Sequence, residues 1–237
     1  MKIIFNDAPR EYQIGIQEEM SPISSGIYDL HDKLMYYLII ILFFVFSILL
    51  YIIISSPKFS FKYATHSIIL EIIWTLLPAI ILIIIAIPSF KLLYSFDEII
   101  NPLFTIKAIG NQWFWSYEIN DIMGLNISFD SYSKSIDDLN PGELRLLDVD
   151  NLLYLPINIP IRLLTTSVDV IHSFSIPSFG LKIDAIPGRI NHALLFLLKE
   201  GVSFGQCSEL CGSSHYNMPI SIKAVPLSDF FIWASSF

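Results

Sequence analysis

The sequence has few basic residues and only two cysteines. Its 237 residues include 14 Lys and Arg together against 22 Asp and Glu, which gives a net charge of −8. Proteins that bind nucleic acid neutralise phosphates with Lys and Arg, so this balance argues against a nucleic-acid partner. The first 33 residues also lack the basic start and apolar core of an ordinary secretory signal.

Apolar residues are abundant instead, at 54% of the chain, and two runs concentrate them. Leu34–Ile54 carries no charged residue, and Ile68–Ile87 carries only Glu71. At about 1.5 Å per residue, each run spans a hydrocarbon core of about 30 Å. We therefore expect two transmembrane helices. A carboxylate at membrane depth is costly, which makes Glu71 a functional candidate.

The link between the two runs, residues 55–66, sets the expected orientation. It carries Lys58 and Lys62 and no acidic residue. Basic loops stay on the cytoplasmic or matrix side of a membrane. Both termini are therefore expected on the opposite side.

Residues 95–237 have the composition of a separate, acidic β-rich domain. Their surplus of acidic over basic side chains suits a domain that attracts a basic partner, and equally one whose surface acids only keep it soluble. Short β-branched runs bounded by Gly, Pro, Asn or Asp predict strands, and the segment Pro226–Trp233 predicts a short terminal helix. The predicted strands are Thr105–Ile109, Leu144–Val149, Ile159–Thr166, Arg189–Phe196, Val202–Gln206 and Ile220–Val225. Many short strands with regular turns indicate a β-sandwich or barrel.

Both cysteines lie in GQCSELCGSSHYNMPI, residues 205–220, between the last two predicted strands. A disulfide across Cys-x₃-Cys would remove little chain entropy and leaves His215 and Met218 unexplained. Zinc accepts Cys and His but not Met, and no second paired motif is present. Both alternatives stay open on the sequence alone, although copper fits this set of side chains best.

Copper accepts thiolate, imidazole and thioether ligands. Two thiolates can bridge two copper ions, each of which then needs an imidazole. His215 provides one, and His172, in DVIHSF, is the candidate for the other. Met218 can cap one copper, and a loop carbonyl near Glu209 can serve the other. Two bridging sulfurs let the ions share one electron, so little reorganisation accompanies its transfer.

The chain resembles subunit II of mitochondrial cytochrome c oxidase from roughly residue 6 to residue 233. Five segments carry the resemblance, in order behind the two apolar runs: GNQWFWSYEI (110–119), PGELRLLDVDN (141–151), DVIHSF (169–174), PSFGLKIDAIPGR (177–189) and GQCSELCGSSHYNMPI (205–220). Together these segments are highly specific for that family.

The resemblance implies a two-helix transmembrane hairpin followed by an all-β, cupredoxin-like Greek-key barrel. It implies an N-terminal segment outside the membrane (1–30), the helical hairpin (31–94) and a copper domain (95–237). The implied ligands of a binuclear CuA centre are His172, Cys207, Glu209 through its carbonyl, Cys211, His215 and Met218. The Glu209 side chain is implied to reach a magnesium ion shared with subunit I.

The implied function is electron acceptance in the terminal respiratory oxidase. Electrons pass from reduced cytochrome c through this subunit to heme a in subunit I, where oxygen is reduced to water and protons are pumped. The aromatic stretch at 113–117 predicts core packing, but the resemblance makes Trp113 the first electron acceptor and Glu71 the mouth of a proton pathway. The candidate docking acids are Asp169, Asp148 and Asp150, followed by Glu118 and Asp121.

The implied location is the mitochondrial inner membrane, crossed twice, with both termini and the copper domain in the intermembrane space. The implied partners are cytochrome c, subunit I, other oxidase subunits and membrane lipid, but no nucleic acid. Two other functions are weighed against this one. A metal-free structural subunit would lack the ligand set, and a copper-delivery protein would need neither the aromatic stretch nor PSFGLKIDAIPGR.

Overall fold

The computed structural model describes residues 5–55, 66–97, 101–122 and 124–237. The chain divides into two compact units. One is Ile27–Tyr94, and the other combines the residues up to Gly26 with Ser95–Phe237. Lys58 and Lys62, on which the predicted orientation rests, lie outside the described residues. The predicted boundaries 1–30, 31–94 and 95–237 refer to a membrane and stay predictions.

Two long helices contain the predicted membrane spans. Helix α1 is Pro22–Ser55 and helix α2 is Ile68–Asp97. Their most apolar windows have mean hydropathies of 3.1 and 2.8 and are 0% buried. A core helix of a soluble protein would be mostly buried, so these apolar surfaces require lipid or other chains around them. Helix α2 continues through Pro78 and Pro88.

The rest of the described chain is almost entirely strand and loop. The strands are β1 (Phe5–Asp7), β2 (Phe104–Asn111), β3 (Phe114–Ile122), β4 (Leu125–Ser131), β5 (Leu153–Pro156), β6 (Ile161–Ser167), β7 (His172–Ile176), β8 (Leu181–Ala185), β9 (Asn191–Leu195), β10 (Gly201–Gln206) and β11 (Pro219–Val225). The predicted terminal helix is present as α3, Leu227–Ala234.

The strands form a mixed arrangement of sheets. One sheet has the order β1-β10-β11-β5, a second has the order β4-β3-β2-β6-β9, and β7 pairs with β8 alone. Hydrogen bonds between the described residues do not close any of these sheets into a barrel. The predicted architecture, two apolar helices and then an all-β domain, is confirmed, with open sheets in place of a closed barrel.

Alternation of side chains explains how the strands build the core. In β6, Ile161, Leu163 and Thr165 point inward, while Arg162 between them is exposed. In β3, Trp115, Tyr117 and Ile119 are each 0% exposed. Because strand side chains alternate between the two faces, these three residues share the inward face of β3. The predicted aromatic core is therefore confirmed for Trp115 and Tyr117, whereas Trp113 precedes the strand.

The predicted strand Leu144–Val149 is wrong. This segment forms turns, and only Val149 makes an isolated bridge, to Ser133. Asp148 caps the turn, because its Oδ2 accepts the Leu144 N–H at 2.5 Å. Its three leucines and Val149 suggested a strand, but local side-chain hydrogen bonds of this kind favour turns.

The segment before α1 belongs structurally to the β-domain. Met20 is 1% exposed within the core. Its N–H donates to Ser178 O, and its carbonyl accepts the Leu198 N–H, both at 2.9 Å. Ser21 Oγ donates to Phe179 O at 2.7 Å. Residues far apart in sequence therefore complete one core.

Candidate metal centre

The segment between β10 and β11 forms a closed loop that carries both cysteines. Its ends are held by the antiparallel pair Gln206 and Pro219. Across the base of the loop, the Cys207 N–H donates to Met218 O at 3.4 Å. The loop is thus positioned by two core strands, which is a common arrangement for functional loops.

His172 reaches the same place from another sheet. It is the first residue of β7 and is 0% exposed. Its ring lies edge-on to Trp115, with the ring centroids 6.0 Å apart. On Gly110, an added Cβ would come within 2.7 Å of the His172 ring. Only glycine permits this close approach of β2 to the imidazole.

The two sulfurs have different neighbours. Cys207 Sγ lies 3.9 Å from His172 Nδ1 and 3.3 Å from Glu209 O. Cys211 Sγ lies 3.5 Å from His215 Nδ1 and 3.4 Å from Met218 Sδ. The sulfurs themselves are 4.0 Å apart. Each thiol therefore has its own neighbouring imidazole and one further atom that can bind a metal, Glu209 O for Cys207 and Met218 Sδ for Cys211.

These donors fit copper. The ligand atoms of His172, Cys207 and Cys211 lie within 4.8 Å of one another. Both cysteines are free and buried, and Met218 is 1% exposed. Free thiols do not support the disulfide alternative. A thioether facing a thiol is a soft donor suited to copper and foreign to zinc sites.

The pKa values of the two thiols are shifted in opposite directions. Burial opposes ionisation of Cys207, but its hydrogen bonds, first with His172 and then with backbone groups, lower the pKa of its thiol to about 7. Burial, followed by the charge of Cys207, raises the pKa of the Cys211 thiol to about 12. Ionisation of Cys207 therefore opposes ionisation of Cys211.

Trp113 lies against the metal loop. It is half-buried, and its Nε1 donates to Cys211 O at 3.3 Å. The same carbonyl accepts a hydrogen bond from Gln112 Nε2 at 2.7 Å. The backbone around Cys211 therefore contacts both residues of the turn between β2 and β3.

The three leading candidate docking acids, Asp148, Asp150 and Asp169, all accept backbone hydrogen bonds. Asp148 caps the turn at Leu144, and Asp150 Oδ1 accepts the N–H groups of Tyr132 and Asn151 at 2.8 and 2.7 Å. Asp169 differs, because its Oδ1 lies 2.8 Å from His172 Nε2. Burial raises the pKa of Asp169, but this hydrogen bond and two backbone N–H donors outweigh it and hold the pKa below its usual range.

Sequence reasoning did not single out Gln112 or Gly110. Both flank predicted features: Gln112 precedes Trp113, and Gly110 ends the strand-like run that begins at Thr105. The available signal was a glycine at the end of a strand-like run, since glycine in a strand often marks the close approach of other atoms. Their contacts with Cys211 and His172 depend on sheet pairing that spacing does not reveal.

In the helical unit, Glu71 lies in the first turn of α2. Its N–H donates to Ser67 O at 3.0 Å, and its carbonyl accepts Thr75 Oγ1 at 2.7 Å. An acidic residue at a helix N-terminus is favourable with the helix dipole. His192 is exposed on β9.

Two family profiles together cover most of the chain. The transmembrane domain of cytochrome c oxidase subunit II matches residues 9–92, and its periplasmic domain matches residues 104–225. The chain belongs to the cytochrome c oxidase subunit II family. The predicted resemblance is therefore confirmed.

Individual relatives agree over almost the full length. Cytochrome c oxidase subunit 2 of Mycosarcoma maydis is 48% identical over 240 residues, covering 98% of this chain and 94% of that protein. The subunit 2 of Pneumocystis carinii is 49% identical over 236 residues, covering 98% and 97%. The crystal structure of the periplasmic domain of subunit II of cytochrome oxidase from Bradyrhizobium japonicum is 45% identical with a TM-score of 0.53, covering 59% of this chain and 96% of that one.

Family membership confirms the main functional predictions at a general level. The β-domain is the cupredoxin domain of subunit II, and the His, Cys, Cys and Met cluster is its copper site. The chain is the electron-accepting subunit of a cytochrome c oxidase complex.

Proposed function

We propose that this chain accepts electrons one at a time from reduced cytochrome c at a binuclear CuA centre and passes them to heme a in subunit I. The observation that carries the proposal is the paired arrangement of the two thiols. Cys207 has His172 and Glu209 O beside it, while Cys211 has His215 and Met218. A single-metal site would need only one such set.

The chain's contribution is to hold six donors in a buried, preorganised setting. When bound, a thiolate-bridged copper pair supplies a redox centre that shares one electron between two ions. The described strands fix His172, while the loop brings the other donors to it. Since both sulfurs are buried in the core, water is kept from them.

Counting metal and spin tests the binuclear proposal. The domain 95–237 is suitable although it lacks the core contact of Met20, because a relative's periplasmic domain, matching 59% of this chain, was crystallised alone. Loaded with copper, it should bind two ions per chain and give a seven-line hyperfine pattern, since one electron couples equally to two copper nuclei. His215→Ala should abolish this pattern, whereas His192→Ala, on exposed β9, should retain it. One copper with a four-line signal contradicts the proposal.

Trp113 is proposed to receive the electron from cytochrome c. Support comes from its partial exposure and its hydrogen bond to the carbonyl of Cys211. Trp113→Ala in the assembled oxidase should slow oxidation of cytochrome c and leave the copper spectrum intact. A changed spectrum with unchanged kinetics would make Trp113 a packing residue.

Cytochrome c is proposed to dock on the β-domain, with Asp148, Asp150 and Asp169 contributing negative charge. Each exposed pair adds little alone, but their summed field should raise the association rate and make it sensitive to salt. An association rate independent of ionic strength contradicts this docking mode.

Glu209 is proposed to serve two metals, copper through its carbonyl and magnesium through its side chain. Its carbonyl faces Cys207, and the residue is exposed, so the carboxylate is free to face subunit I. Carboxylates are suitable magnesium ligands. Glu209→Ala should lower magnesium content of the oxidase while retaining both copper ions of CuA; unchanged magnesium contradicts this role.

The membrane part is proposed to cross the mitochondrial inner membrane twice, with residues 31–94 as the spanning hairpin and residues 1–30 and 95–237 in the intermembrane space. Glu71 is then at the matrix end of α2, where it is proposed to admit protons. Glu71→Gln should therefore slow proton uptake during turnover. The orientation is tested separately by protease digestion, and cleavage of the β-domain from the matrix side only would contradict it.

A further inference from the structure

Asp169 occupies the connection between β6 and β7 and uses both carboxylate oxygens inside the protein. Oδ1 lies 2.8 Å from His172 Nε2, and Oδ2 accepts the Gln112 N–H at 2.7 Å. The side chain of Asp169 is 29% exposed, and that of His172 is 0% exposed. A charge that served only to attract a distant partner would need neither of these bonds.

Neighbouring groups fix the carboxylate in this direction. Oδ1 also accepts the Val170 N–H at 2.6 Å. Ser167 Oγ lies 3.2 Å from both Asp169 Oδ1 and Asp169 N, and it donates to Val170 O at 2.5 Å. The short connection is therefore a hydrogen-bonded turn that orients one side chain.

The contact with Asp169 fixes which nitrogen of the His172 imidazole carries the hydrogen. An ionised carboxylate only accepts hydrogen bonds, so His172 carries its hydrogen on Nε2. Nδ1, which faces Cys207 Sγ at 3.9 Å, is then the nitrogen with a free lone pair. Carboxylate partners of this kind fix the tautomer and orientation of metal-binding histidines and increase their basicity.

Asp169 also holds the turn between β2 and β3, which consists of Gln112 and Trp113. Asp169 holds the backbone of Gln112 from one side. From the other side, Gln112 Nε2 and Trp113 Nε1 both donate to Cys211 O, at 2.7 and 3.3 Å. The turn is thus fastened to the His172 side of the site by Asp169 and to the loop side by Cys211.

We propose that Asp169 is a positioning residue that ties the orientation of the copper ligand His172 to the position of the electron-accepting Trp113. The proposal rests on the proposed function, because it assigns copper to His172 and electron acceptance to Trp113. One carboxylate serves both, with one oxygen for each.

Asp169→Asn in the assembled oxidase tests this directly. An amide has a single accepting oxygen, so it cannot accept from both His172 and Gln112. We expect an altered copper hyperfine pattern, a shifted reduction potential and a kcat for cytochrome c oxidation lowered about tenfold, as is usual when such an outer partner is lost. A raised KM with an unchanged spectrum and potential would overturn the proposal in favour of docking alone.

Asp169→Glu separates the effect of the carboxylate's charge from the effect of its position. It also provides a second test if the Asp169→Asn variant fails to assemble. It keeps the negative charge but moves both oxygens by one methylene. A docking charge predicts normal spectrum and kinetics for this variant. Positioning predicts a perturbed spectrum and a lowered kcat, and normal values for both overturn the proposal.

Asp150→Asn is the matched comparison for loss of charge. Asp150 also accepts two backbone N–H groups, from Tyr132 and Asn151, but it has no bond to a copper ligand. We expect a raised KM and an unchanged copper spectrum. If the wild-type oxidase lacks the two-copper signal, the proposed function fails; if it has the signal and the Asp169 variants retain it with normal potential and kcat, only this inference fails.

Discussion

The two histidines of the metal centre are held in contrasting ways. His172 lies in a strand, is fully buried, and is contacted by Trp115, Asp169 and the backbone at Gly110. His215 lies half-buried in a short helical turn of the loop that also carries Met218. One imidazole is therefore fixed by packing between sheets and the other by a single loop, so steric changes should damage the first side more.

The largest effect on stability is expected from Gly205→Ala. Gly205 lies on β10 just before the metal loop and packs against β7, the strand that carries His172. A Cβ at Gly205 would lie 2.1 Å from Ser175 O, a backbone atom of β7 that cannot yield cheaply. We expect a loss of about 3 kcal/mol or more in the free energy of unfolding and reduced copper content, measured by thermal unfolding and metal analysis.

Gly15→Ala is the control for that change. Nothing lies within 4 Å of a Cβ at Gly15. It should leave both copper content and thermal unfolding unchanged. Equal destabilisation of the two variants would show that the contact at Ser175 is unimportant.

Gly110→Ala tests the strand side more locally. The added Cβ would lie 2.7 Å from the His172 ring, so either the ring or β2 must move. We expect destabilisation of about 1–3 kcal/mol, with an altered copper spectrum. A normal spectrum would show that the ring tolerates displacement and would remove the contrast between the two histidines.

Met218→Leu tests the loop side. Met218 is 1% exposed, but leucine has a similar volume, so stability should fall by less than about 1.5 kcal/mol. Because the thioether is lost, the reduction potential of the centre should change while two coppers remain bound. Redox titration and metal analysis measure these, and loss of the second copper would make Met218 indispensable.

The smallest effect on stability is expected from lowering the pH, which protonates Glu143. The hydrogen bond from Lys134, followed by that from Asn140, lowers the pKa of Glu143 from 4.5 to about 2. Since the folded pKa lies below the unfolded one, this stabilisation is complete above about pH 4.5 and is lost as the pH falls toward 2. Glu143→Gln should remove this pH dependence in thermal unfolding.

Residues 132–151 connect that pH effect to the site. Ser221 Oγ, on β11, donates to Leu147 O at 2.5 Å, and Gln206 Nε2, at the end of β10, donates to Leu146 O at 3.5 Å. Loosening this segment should therefore disturb the loop side before the His172 side. An identical pH profile for Glu143→Gln and wild type would contradict this.

Local spacing made part of the protein predictable. The two apolar runs, the loop from Cys207 to Met218 and the terminal helix all follow from patterns within one segment. Hydrophobic length and ligand type act over neighbouring residues, so the sequence expresses them directly. The strand predicted at Leu144–Val149 failed because Asp148 caps a turn there, a local competition that β-branched composition does not record.

By itself the sequence determined which donors exist and that five of the six share one loop. Only the tertiary structure decided which distant side chains join them. His172 lies 35 residues before Cys207, and Gln112 lies 57 residues before Asp169. Sheet pairing and core packing bring these residues together. Both depend on contacts summed over whole strands, which local sequence spacing does not show. The inward direction of Asp169 follows from the same packing, since its spacing from His172 alone equally suits a surface acid.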